Sequence, residues 1–252
     1  MGGLFGSLRS PSAEHRERVS DAFVVLGTLA GERGDDSSGV ALFTGRPVRD
    51  PAPVPSDVPD LSVDGCRIVK GRAPFSGVWS PELLPLLDHA PVALGHTRRA
   101  VQGSAHEPAN AGPLAVNGLL GIHGEGFEPG ADGEAVFRAL AGRHAPAEIA
   151  EVLEALVGRG ALVWVDRARP DRVRLARAAL SPLVVAVDAE HNLYWASDPR
   201  WFREVRRATR VRPVSAVMLR EGTYLEITRD PEPQITARTS FRPRRARLRA
   251  GL

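Results

Sequence analysis

Cysteine and lysine are almost missing from this chain: Cys66 and Lys70 are the single residues of their kinds among 252. One thiol closes no internal disulfide and builds no cysteine-rich metal cluster. A chain of this length needs neither staple, because it can bury a substantial core, and the scarcity of thiols fits a reducing, cytoplasmic setting. No secretory h-region follows the start, and no apolar run is long enough to cross a bilayer, so no membrane association is expected. N-myristoylation is excluded as well, since Gly6 stands where that signal needs Ser or Thr. Strong charge of one sign is also lacking, with 30 acidic residues against 33 basic ones and a formal charge of +3. Nearly all the basic residues are arginine, which, with abundant Ala, Gly, Pro and Val, points to a GC-rich coding genome more than to a partner.

What is present reads as strands and helices in layers. Leu4, Phe5 and Leu8 among glycines predict a short buried strand. Ser10-Pro11 reads as a helix entry, with Ser10 as N-cap and Pro11 at the first helical position. Val19, Ala22, Phe23, Leu26 and Leu29 recur at helical spacing, and Gly31 and Gly34 end that helix. A strand is expected over 39–44. Five prolines between 46 and 65 predict a surface loop. A second helix is expected from Ser80-Pro81 through Leu87. Further strands are read at 92–95, 114–116, 162–166, 172–176, 183–187, 193–196, 216–220 and 223–228, with helices near 134–141 and 147–157. Strands in two clusters flanked by helices argue for a layered α+β fold. Residues 1–240 read as one domain. The segment 241–252 is a tail with five arginines and no acidic residue, either a solvated terminus or an arm for an acidic protein surface or nucleic acid.

Several segments carry chemistry. Gly95-His96-Thr97-Arg98-Arg99-Ala100 places a guanidinium at a strand end, where its fork can pair with a carboxylate through two parallel bonds. Asn117-Gly118 after a strand has the pattern of a tight turn. Asp132 in Gly130-Ala131-Asp132-Gly133-Glu134 suits a helix N-cap. Arg33-Gly34-Asp35-Asp36-Ser37-Ser38-Gly39 is a glycine-bounded turn entering a strand. Arg67-Ile68-Val69-Lys70-Gly71, Leu175 to Leu183, and Ala196-Ser197-Asp198 read as framework.

In this order, together with Met1-Gly2-Gly3-Leu4-Phe5-Gly6, these segments resemble class II glutamine amidotransferases. The resemblance implies the four-layer αββα sandwich of N-terminal-nucleophile hydrolases. It assigns Arg98 to the α-carboxylate of glutamine, Asp132 to the α-ammonium group, Thr97 to the substrate-binding residues, and Asn117 with the Gly118 N–H to the oxyanion hole. In that family the second residue is a cysteine whose thiolate attacks the carboxamide, its own α-amine serving as base. Here it is Gly2. Arg99 stands where an aromatic residue normally lines the pocket, and Val116 replaces a histidine. Cys66, Ser7 and Ser10 lie too far along the chain to substitute, having no terminal amine beside them.

The expected protein is thus an amidotransferase-like domain inactive in glutamine hydrolysis. It would keep a pocket for glutamine or a related amino acid, or support a protein partner in trans, since no synthase or synthetase segment follows residue 252. No cofactor and no metal is implied. Two alternatives stay open: an assembly protein with no small-molecule site, and an active enzyme whose nucleophile was replaced by design.

Overall fold

The computed structural model describes residues 2–45, 65–99, 112–124 and 132–243. The expected loop at 46–65 lies outside these apart from Gly65, as do Ala100, Gly130, Ala131 and residues 244–252 of the tail.

Alternation along the strands fixes the layers. In β1 (Gly3–Leu8), Leu4 and Leu8 point into one apolar cluster and Phe5 into another. In β2 (Ser37–Phe43), Ala41 and Phe43 face the first cluster, Val40 and Leu42 the second. Successive side chains on a strand face opposite sides, so a strand with both sets apolar is buried on both faces. The first sheet runs β11 (Pro213–Met218), β9 (Val184–Asp188), β10 (Leu193–Ala196), β1, β4 (Val92–Arg98), β2, β3 (Cys66–Gly71). The second runs β13 (Gln234–Ser240), β12 (Thr223–Thr228), β8 (Arg172–Arg177), β7 (Ala161–Asp166), β6 (Leu119–His123), β5 (Leu114–Val116). Every pairing between these strands is antiparallel.

Three apolar clusters then account for four layers. Phe23, Leu26 and Val19 of α1 (Arg16–Ala30), with α2 (Phe75–Val78), α3 (Leu84–Leu87) and α6 (Pro199–Ala208), cover the outer face of the first sheet. Leu4, Leu94, Ile122, Val163 and Leu175 interdigitate between the sheets. Val136, Phe137 and Leu140 of α4 (Gly133–Leu140) and Leu153 of α5 (Pro146–Leu156) cover the outer face of the second. Each such side chain, fully buried, contributes about 1.5–3 kcal/mol. The result is an αββα sandwich, the fold class the sequence resemblance implies.

Helix α1 starts later than Ser10-Pro11 suggests. The Ser10 N–H donates to Asn192 Oδ1 (2.9 Å), and His15 meets the Glu190 carboxylate through both its N–H (3.1 Å) and its ring (2.6 Å). Asp188 anchors that turn, accepting from Asn192 and from the Tyr194 hydroxyl (2.7 Å). Residues 10–15 are held as a strap over the β9–β10 turn, and this tertiary demand overrides the local helix signal. At the other end, Phe241 is buried in the α5 layer and the Arg242 N–H donates to Glu154 (3.2 Å). Those two residues, expected in the tail, belong to the packed body.

Candidate functional site

The register of β1 against β4 positions everything around Gly2. Gly3 pairs with Thr97 and Leu4 with His96. Directly opposed residues share a face, so His96 projects with Leu4 into the space between the sheets, the side that residue 2 also faces. A β-carbon built on Gly2 would stand 2.7 Å from His96 Nε2 and 2.8 Å from the Thr97 carbonyl. The ring of His96 therefore occupies the room that a residue 2 side chain would need. Gly112 lies against the other edge of the ring, where its own β-carbon would meet Nδ1 at 2.5 Å. Among the described residues His96 Nδ1 is buried without a hydrogen-bond partner. Burial above all, and then the neighbouring His123 ring and Arg98 guanidinium, hold the imidazole well below its usual range. It is a neutral ring at neutral pH.

Beside Gly2, a cavity of about 20 Å³ is lined by Leu4, Arg33, Gly124, Ala161, Ser181, Pro182 and Ser197. That is room for about one water molecule. Its walls are already bonded to one another. Arg33 Nε donates to the Gly2 carbonyl (3.1 Å). The Leu4 N–H donates to Ser197 Oγ (2.9 Å), and the Gly124 N–H donates to the Ala161 carbonyl (2.8 Å).

The residues singled out from sequence are scattered around this point. Arg98 follows Thr97 on β4 and so lies level with Gly2, on the His96 face of the strand. Thr97 points to the opposite face, where its hydroxyl donates to the Ala30 carbonyl of α1 (2.6 Å). It fastens the helix layer. Asn117 and Gly118 form the two-residue link of the β5–β6 hairpin, closing the Val116–Leu119 pair with positive φ at both (46° and 86°). That is the type I′ pattern for which Asn-Gly is the favoured sequence. Five residues of β6 separate this turn from Gly124, so it sits about 20 Å from the cavity, at the far end of the strand. Asp132 is exposed and caps α4, its Oδ1 accepting from the Ala135 N–H (2.7 Å). Arg99 reaches into solvent toward Asp35 at 3.8 Å, an exposed pair of little energetic weight.

Cys66 is no stand-in for a nucleophile. Its strand lies three places from β1 in the sheet, about 14 Å away, and it is level with Leu8, the end of β1 remote from Gly2. Burial pushes its thiol up to about 12, so no thiolate forms at neutral pH.

Sequence reasoning passed over His123, Gly124 and the filling role of His96, because the strand that carries His123 to this point, β6, follows the Asn117-Gly118 turn and was not expected. His123 lies tilted against His96, with ring centroids 5.9 Å apart and planes at 37°.

This αββα architecture, with Gly2 just ahead of the central strand and beside a small cavity, is a fold that known proteins share. Two solved structures share it: a glutamine phosphoribosylpyrophosphate (PRPP) amidotransferase from B. subtilis complexed with ADP and GMP, and a protein described as the allosteric regulatory enzyme of purine biosynthesis. They superpose with TM-scores of 0.61 and 0.62, each at 18% identity over 92% of this chain. The chain spans about half the length of each, 48%. No family model matches the sequence, and no curated protein matches it.

Proposed function

We propose that this chain is an amidotransferase-like domain that does not hydrolyse glutamine and acts instead by supporting a partner. The observation that carries the reading is the crowding at Gly2. A nucleophile is missing there, and its space is taken by His96 and the Thr97 carbonyl. Acyl transfer from glutamine would need three things: an attacking thiolate, a base beside it, and donors aimed at the oxyanion. Gly2 has no side chain, Cys66 is remote and protonated, and the Gly124 N–H is bonded to Ala161. Arg98 and Asp132 are read here as remnants of a substrate cleft: one keeps its place beside Gly2, while the other serves as a helix cap.

The test is ammonia release from glutamine by the unmodified protein, Gly2→Cys and Gly2→Cys/His96→Ala. The first two should be silent, because a cysteine alone has no room. Turnover by the unmodified protein would overturn the proposal. Glutamine in large excess should leave the melting temperature unchanged, whereas a ligand bound only by the folded state must raise it.

A further inference from the structure

The edge of the first sheet at β11 differs from every other part of that sheet. Five of its six residues, Val214 to Met218, are exposed, while β3 at the opposite edge is buried along its whole length. An edge strand presents unpaired N–H and C=O groups, and proteins commonly blunt such edges with charge, proline or a bulge. Here Pro213 and a register shift between Pro213 and Ser215 guard only the start. From Val214 to Met218 the strand carries no charge.

Its two faces differ. Val217 pairs with Val185 and Ser215 with Val187, and both valines of β9 pack toward the cluster between the sheets. Ile235 on β13 pairs with Ile227, a member of the same cluster. Val217 is 60% exposed and Ile235 59% exposed. The open end of the inter-sheet gap is therefore apolar and uncovered. On the opposite face, Ala216 and Met218 lie level with Ala186 and Val184, on the side covered by α6. From Pro199 to Arg220 that helix and its exit hold seven arginines and one glutamate. Asp198 holds Arg200 (2.6 Å), Glu204 holds Arg207 (2.8 Å), and Arg210 feels Asp21. Arg203 and Arg206 are exposed with no ion pair among the described residues.

We propose that β11 is a docking edge for an extended acidic segment of a partner protein, which adds as a strand to the first sheet. Because strand side chains alternate, such a segment would place apolar residues beside Val217 and toward Ile235. It would place carboxylates on the α6 side, toward Arg203 and Arg206. A second copy of this chain fits poorly, since pairing β11 with β11 would bring two arginine-rich corners together. The proposal deepens the partner-supporting role argued above and does not depend on the state of the Gly2 cavity. Ammonia assays test the cavity and peptide titration tests the edge, so the two ideas fail separately.

The probe is a capped peptide of alternating glutamate and valine, titrated into the full chain, with a lysine–valine peptide as control. The acidic peptide should bind and the basic one should not. Val217→Lys and Arg203→Glu/Arg206→Glu should each weaken binding at least tenfold while leaving the melting curve in place. Absence of acidic-peptide binding, or binding indifferent to both variants, overturns the proposal. So does a dimer of the unmodified protein that Val217→Lys dissociates, which would assign the edge to a second copy. Tighter binding of oligodeoxythymidine or of phosphatidylserine vesicles than of the peptide would give the arginines to another partner and overturn it as well.

Discussion

Two places in the first sheet, its central strand β1 and its edge strand β11, carry opposite faults. At the Gly2 end of β1 the interior is overfilled: no atom can be added at residue 2 without moving a ring or a carbonyl. At β11 the surface is underfilled, with apolar side chains and strand edge left to solvent. An active amidotransferase needs the reverse at the first place, an open pocket beside residue 2. Substitutions at the two places should therefore behave differently, and the largest difference is expected at Gly2.

Gly2→Cys adds volume to a packed site and should destabilise the protein by about 1–3 kcal/mol, read as a shift of the denaturation midpoint. Gly2→Cys/His96→Ala should recover part of that loss, because the ring is one of the two obstacles. Full stability of the single variant would mean that His96 swings away freely and the crowding argument fails.

Acid probes the same end through His96. The folded state holds this imidazole neutral, while the unfolded chain takes up a proton near 6.5. Above that pH both states are neutral and His96 contributes no slope. Below it the unfolded state binds more protons, so stability falls as pH falls, by at most about 1.4 kcal/mol per pH unit from this group. Melting temperatures between pH 7 and 5 check this, and His96→Gln should flatten the slope. An unchanged slope would place the acid sensitivity elsewhere.

Asn117→Ala gives a smaller effect. The residue sits in the left-handed region, with φ of 46°, which a non-glycine residue lacking a short polar side chain occupies at a cost of about 1–2 kcal/mol. Loss of about 1 kcal/mol, with Asn117→Gly close to neutral, would confirm a turn residue by denaturation alone.

How far this contrast could be read from the sequence depends on the range of the forces involved. Alternation is local, so β5, β10 and β12 fall where their apolar patterns put them. The stripe of Val19, Ala22, Phe23 and Leu26 lies buried as its spacing demands. Helix α6 escaped notice because only Trp201, Phe202 and Val205 carry its buried face amid arginines. Its start was legible as Asp198 capping Arg200 with Pro199 at the first turn. Strand β6 was missed for a related reason: with Asn117-Gly118 taken for a site, the returning strand of its hairpin had no place. His96 could not have been read at all. Its burial depends on β1 meeting β4 in one register and on a second sheet closing over both.

Val217→Lys is the smallest expected change in stability and the most informative about the edge. A lysine there keeps its stem along the sheet and its ammonium in water, and exposed substitutions of this kind stay within about 0.5 kcal/mol. Such a charge is also what sheet edges commonly carry to refuse an added strand. A variant that melts with the unmodified protein but no longer accepts an acidic strand would separate the two places cleanly, one needed for packing and the other for a partner. A variant that unfolds would show instead that Val217 packs more closely than its exposure implies, and that the bare edge is already covered by the chain itself.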